Sequence, residues 1–259
     1  MEVIVIDTNE INGFQNEKEF AKALNGKKIK YLMSNLQDMI LKLYGYVDYN
    51  SSILCYVDHS KKKYDIVIHI NQRVKRISIK KGINNSVHTE GISHFIHFLI
   101  ECGISRNIII EYLYYQYGDG TTNGTGTSRM SSMDYQQKHE NNIKIINEAF
   151  NKPEILEKAI TRFVLRGTNS NVEIDGIIYG IPNDFLFLSK KDIINILMSK
   201  INTHSKGIHF GHLYCQPKAR NLNYNPKYEK DRFCIQVKWY DIFDDIIECL
   251  NNKCLQKIV

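Results

Sequence analysis

Residues 64–90, YDIVIHINQRVKRISIKKGINNSVHTE, decide the fold of this chain. Residues 64–70 alternate, with Ile66, Ile68 and Ile70 on one face and Asp65, Val67 and His69 on the other. Asn71-Gln72-Arg73 reads as a turn. Residues 74–80 alternate again, with Lys75, Ile77 and Ile79 on one face and Val74, Arg76, Ser78 and Lys80 on the other. Two period-2 runs around a short polar turn are the signature of a β-hairpin. With the isoleucines on the buried face, Asp65, Ser78 and Lys80 share the opposite one. That face carries a carboxylate, a hydroxyl and an ammonium close to where Lys81-Gly82 ends the strand.

Working outward, residues 2–7 read as a short strand or an ordered arm. Asn16 precedes an expected helix, EKEFAKALNG, with Glu17, Phe20, Ala21 and Leu24 on one face and Asn25-Gly26 as its stop. A second helix is expected over 32–44 and a strand over 53–57. Beyond the hairpin, 83–86 reads as a polar loop and 89–102 as an apolar helix with Ile92, Phe95, Ile96 and Leu99 at helical spacing. His88, Glu90, His94 and His97 then cluster at its start. Another helix is expected over 106–117. Residues 118–127, GDGTTNGTGT, form a loop that reads as a mobile connection or a flap. It lacks the GK[ST] ending of a phosphate-binding P-loop. Residues 129–165 read as largely helical, broken at Lys152-Pro153.

The texture changes near 166. Short strands are expected over 172–179 and 185–188, then a helix capped by Ser189. Strands over 208–215 and 233–239 flank the polar stretch 216–232, and a last amphipathic helix covers 240–250. The expected division is a core with a helical segment over 1–165 and an α+β C-terminal region over 166–259.

The chain has 259 residues, 43% of them hydrophobic, which is enough for one large domain or two small ones. A net charge of +6 fits a polyanionic partner without identifying one. The six cysteines, at 55, 102, 215, 234, 249 and 254, form no CxxC pair and read as reduced thiols. MEVIVIDTNE is not a signal peptide. No apolar run approaches the ~18 residues of a membrane span. The expectation is a cytoplasmic protein.

Hydrolysing a phosphodiester needs a divalent cation, a positioned water and neutralisation of the charge that builds up. Mg²⁺ takes one or two carboxylates with carbonyl and water oxygens. Asp65 on one strand, with Ser78-Ile79-Lys80 on the next and a preceding helix bearing Glu17, resembles the PD-(D/E)xK nuclease superfamily over roughly residues 14–102. The resemblance implies an α/β (α+β) fold of restriction-endonuclease type, with a mixed central sheet flanked by helices. It implies a Mg²⁺ or Mn²⁺ cofactor, cleavage of double-stranded DNA, and dimerisation. Asp65 and the Ile79 carbonyl are then expected to bind the metal and Lys80 to activate water. Tyr64 stands where the motif has proline, and Ser78 where it has its second acid. Glu90 or Glu17 is expected to fill that gap.

Basic residues cluster along the chain. Those expected near DNA are Lys81, Asn85, Ser86 and His88 after the hairpin, and Lys218, Arg220, Asn221, Lys227 and Arg232 in the polar stretch. Arg and Lys interleaved with Asn suit phosphate and base-edge contacts. His204, His209, His212 and Cys215 have no fourth ligand at a recognised distance, so structural zinc is not expected. Two other readings remain: a nucleic-acid-binding protein that keeps the fold without cleaving, and a basic interaction protein.

Overall fold

The computed structural model describes residues 12–60, 62–82, 86–168, 170–201, 206–220 and 225–256, the side chains of 253–256 excepted. In chain order the helices are α1 (Gly13–Leu24), α2 (Ser34–Tyr44), α3 (Ile92–Glu101), α4 (Arg106–Tyr117), α5 (Ser132–Lys138), α6 (Glu140–Phe150), α7 (Pro153–Ile160), α8 (Lys190–Ser199) and α9 (Ile242–Gln256). The strands are β1 (Ile53–Val57), β2 (Ile66–Ile70), β3 (Arg73–Lys80), β4 (Ser86–Gly91), β5 (Gly176–Ile181), β6 (Asp184–Ser189), β7 (Ile208–Phe210), β8 (Leu213–Pro217) and β9 (Cys234–Trp239). No helix among the described residues is long and apolar enough to cross a membrane. Cys55, Cys102, Cys215 and Cys234 are not in disulfides.

The chain forms two units, each assembled from separate segments. The first is Met1–Asn85, Leu165–Ile196 and Ile242–Val259; the second is Ser86–Val164 and Leu197–Asp241. A cut near 166 therefore falls at one of the crossings but does not separate the units. Strands from both sides of it share a sheet in each. Residues 1–165 and 166–259 are not the structural bodies.

In the first unit the hairpin is the centre of a mixed five-stranded sheet, ordered β1-β2-β3-β5-β6 and flanked by helices. Asn71 takes φ 54, and Ile70 pairs directly with Arg73, so the turn is Asn71-Gln72 and Arg73 opens β3. Every neighbouring pair is antiparallel except β3 with β5. Ile66, Ile68, Ile70, Ile77 and Ile79 all join the core that packs on α1 and α2, as the alternation requires. Phe20 and Leu24 of α1 are fully buried there. Burying each such side chain contributes about 2 kcal/mol. Helix α1 starts earlier than the sequence implies, capped by Asn12 rather than Asn16. Asn16 is buried within the helix and donates to the Gly180 carbonyl at 2.8 Å.

The outer edge of β1 is partly closed by its own chain. Gly26 N–H donates to Ile53 O, Ile53 N–H to Lys27 O, and Cys55 N–H to the Asn25 side chain. Such cover blocks pairing with another chain's strand.

The second unit carries an antiparallel sheet ordered β4-β9-β8-β7. Its core is aromatic: Phe95 lies within 6.3 Å, ring to ring, of Phe98, Tyr112, Phe150, Phe163 and Phe210. Residues 86–91 are strand β4, paired with β9, and the helix begins only at Ile92. Glu90 is therefore on a strand and does not lead a helix.

Candidate active site at the end of the hairpin

Strand β2 begins one residue after Asp65, opposite Ile77, while β3 runs on past that point to Lys80. The Asp65 N–H still donates to Ile77 O at 2.9 Å, and its carbonyl accepts from Asp58 N–H at 2.9 Å. These bonds fix the Asp65 backbone on both sides. Alternate main-chain groups of a strand point the same way. Ile79 therefore presents its N–H and carbonyl toward the β2 side of the sheet, at a level that lies before β2 begins. Its N–H finds the Asp65 carboxylate instead, at 2.5 Å to Oδ2.

Ser78 donates its hydroxyl to the same Oδ2 at 3.0 Å and is only 1% exposed. The Lys80 ammonium lies 3.9 Å from that oxygen. Oδ2 is thus crowded with donors, whereas Oδ1 has no hydrogen-bond donor among the described residues. The geometry holds one carboxylate oxygen rigidly and leaves the other open.

Glu17 enters from α1, half-buried. Burial raises its carboxyl above the usual carboxylate range and the Asp65 charge adds to the rise, while Lys80 and His59 oppose it. The structure therefore brings Glu17, Asp65, Ser78, Ile79 and Lys80 into one neighbourhood. His59 belongs to it too, its ring 5.9 Å from that of Phe14 at the start of α1. The sequence reading missed His59. Its only local signal is its place just after β1.

No group of three or more His, Cys, Asp or Glu side chains is arranged around a metal position among the described residues. A hard cation does not need three. Two carboxylates and a main-chain carbonyl, all oxygen donors, fit Mg²⁺ or Mn²⁺. They do not fit zinc's preference for sulfur and nitrogen.

Glu90 is placed elsewhere. It lies in the second unit, bound by Arg162 through Nη2 at 2.7 Å and Nε at 3.2 Å, with His88 at 3.5 Å. Burial alone would raise its carboxyl, but the hydrogen bonds from His88 and Arg162 outweigh it and hold the group below the usual range. A carboxylate so engaged is not available as a metal ligand.

The residues expected at DNA divide. Asn85 and Asn221 lie outside the described residues. His88 is buried against Phe163, which withdraws it from a phosphate. Arg220 is only 3% exposed; it donates to the carbonyls of Tyr115 and Met130 and sits over the rings of Tyr115 and Tyr135. Arg129 donates to the carbonyls of Gln116 and Tyr117. Arg220 and Arg129 thus satisfy the last carbonyls of α4, where cations are favoured. Burial, then the charges of Arg220 and Arg232, push Arg129 down to about 10. Arg232 is held by Asp119 and the Gly126 carbonyl. Asp119 also accepts from Thr121 and Gly126, so the 118–127 loop is organised on a buried carboxylate rather than built as a flap. Ser86 is half-buried on β4, Lys218 pairs with Asp231 at 3.0 Å, and Lys227 is exposed beside Tyr228. Lys81 stays half-exposed directly after Lys80.

No protein-family model matches the chain, and no curated protein matches it. Among solved structures it is similar to the restriction endonuclease MspI, crystallised with its cognate DNA. The identity is 14%, the match covers 79% of this chain and 77% of that one, and the TM-score is 0.48.

Proposed function

We propose that the chain is a metal-dependent deoxyribonuclease of restriction or defence type that hydrolyses phosphodiester bonds in double-stranded DNA. The observation that carries this reading is the Asp65 carboxylate: Ser78 and Ile79 hold it on one oxygen, Lys80 stands beside it, and the half-buried Glu17 carboxyl lies near enough to feel its charge. Two neighbouring carboxylates are stabilised by a cation between them. Asp65, Glu17 and the Ile79 carbonyl would hold Mg²⁺ or Mn²⁺. Such a cation, when bound, polarises a phosphoryl oxygen and acidifies a water. Lys80 would orient that water and take part in its deprotonation, at an atom 3.9 Å from Asp65. Ser78 does not replace the missing acid as a ligand; it positions Asp65, and Glu17 supplies the second carboxylate. Lys81, Ser86, Lys218 and Lys227 are the remaining candidates for DNA contacts, and a homodimer would place two such sites on one duplex.

Ser78 also favours one other reading, a protein that binds nucleic acid without cleaving it. Incubating supercoiled plasmid with the purified protein separates the two. The nuclease nicks or linearises DNA in Mg²⁺ or Mn²⁺, loses this in EDTA, and loses it in Asp65→Ala. Salt-dependent binding with no cleavage in either metal would select the binding protein instead.

A further inference from the structure

The first unit holds a second concave site that the hairpin chemistry does not use. It is a pocket of about 420 Å³ whose lining includes Lys42 and Leu43 of α2, Lys75 of β3, Lys190, Lys191 and Ile194 of α8, and one carboxylate, Asp175. Four lysines from three elements, far apart in sequence, line it, two of them already paired with carboxylates.

The carboxylates nearby are already engaged. Asp175 accepts from Lys75 Nζ at 2.8 Å and from the Arg76 N–H at 2.9 Å. Glu173 pairs with Lys190. Asp192 is turned to Ser189, accepting from its N–H at 3.1 Å and its hydroxyl at 2.8 Å. Lys42 and Lys191 are exposed and have no carboxylate at ion-pair distance among the described residues. The pocket therefore carries uncompensated positive charge, and like charges around a concavity repel until an anion enters. The half-buried Ile194, with the edge of the largely buried Leu43, adds an apolar wall, which a bare inorganic anion would leave unused. The volume is that of a small-molecule site, commonly about 300–1,000 Å³. A duplex presents its phosphates on a convex surface and does not enter such a pocket.

We propose that this pocket binds a mononucleotide, with Lys42, Lys75, Lys190 and Lys191 around its phosphates and Leu43 and Ile194 against its sugar and base. The site is independent of the nuclease reading. Lys75 and Lys80 lie five positions apart on β3, about 16 Å at the rise of a strand.

Calorimetric titration of the full chain with ATP and with inorganic tripolyphosphate, in EDTA, tests the assignment. Saturable ATP binding is expected, with tripolyphosphate binding more weakly. The double variant Lys42→Glu/Lys191→Glu should weaken ATP by about tenfold or more, and Asp65→Ala/Lys80→Ala should leave it unchanged. Both lysines are exposed, and thermal unfolding of the charge-reversed protein serves as the check on its fold. The proposal is overturned if ATP shows no saturable binding, if the charge reversal leaves its affinity intact, or if Asp65→Ala/Lys80→Ala abolishes it. It is equally overturned if tripolyphosphate binds as tightly as ATP, since the apolar wall would then read nothing.

Discussion

Replacing Ser78 by alanine removes one of the two hydrogen bonds that fix Asp65 Oδ2 while leaving the Ile79 N–H in place. A hydrogen bond to a charged group contributes about 1.5–3 kcal/mol. Asp65 is 23% exposed, so water recovers part of that and the loss in stability should be about 1–2 kcal/mol. The larger effect falls on the cation. Groups that orient a metal ligand typically carry about 10–100-fold in affinity or activity, so Mn²⁺ affinity should fall by at least the lower of those factors. The assay pairs urea unfolding of the metal-free protein with calorimetric titration of Mn²⁺. Ser78→Asp is the complementary variant. It sets a third acid beside Asp65 and Glu17, so the metal-free protein should be less stable than Ser78→Ala and should recover more on adding Mn²⁺. Unchanged stability and unchanged Mn²⁺ affinity in Ser78→Ala would refute the idea that the serine positions Asp65.

Glu17 gives a pH test. Burial and Asp65 raise its folded-state proton affinity above the unfolded value near 4.5. The native state therefore loses stability as pH rises from that value through the raised folded-state one. Glu17→Gln should accordingly be more stable than the parent at pH ~8 without metal, with the difference gone in acid; equal stability at both pH values would count against the coupling. Glu90 behaves in the opposite sense. Its folded-state affinity for protons is lowered, so its contribution is present above the unfolded value and disappears as pH falls through the folded one. Glu90→Ala leaves the half-buried Arg162 without its carboxylate partner, and equilibrium unfolding should show a cost of about 1–3 kcal/mol. Arg220→Met strips donors from the Tyr115 and Met130 carbonyls, with an expected loss of about 2–4 kcal/mol. Its direct effect on DNA affinity should be nil; a variant of full stability and weakened DNA binding would contradict the buried assignment.

The hairpin was legible because its two signals are local. Alternation over residues 64–80 names the faces, and Asn71 makes a two-residue turn. The same holds for β1, whose bounds 53–57 match the sequence reading. Strand β4 was not legible. Residues 86–91 show no apolar alternation, and their strand state comes from pairing with β9, far along the chain. With that strand misread as a helix start, Glu90 was drawn toward the metal, when its partner is Arg162. The parallel pairing of β3 with β5 is equally non-local, which is why a cut at 166 looked natural in sequence. Arg220 sits in a stretch as polar as any DNA-binding loop. Only the open carbonyls at the end of α4 explain why a guanidinium is buried there. Glu17 was legible as a carboxylate beside the stripe that α1 buries, although the cap that starts the helix was misplaced.

The account rests on Lys80 acting at the reacting phosphate, and one measurement reaches that directly: single-turnover cleavage of a DNA duplex at saturating Mn²⁺ and protein, comparing the parent with Lys80→Ala. Positioned acid–base groups contribute about 10²–10⁴-fold. The predicted result is a fall in cleavage rate of that order with duplex affinity little changed. Cleavage at the parental rate in Lys80→Ala, or no cleavage by the parent in either Mg²⁺ or Mn²⁺, would contradict it.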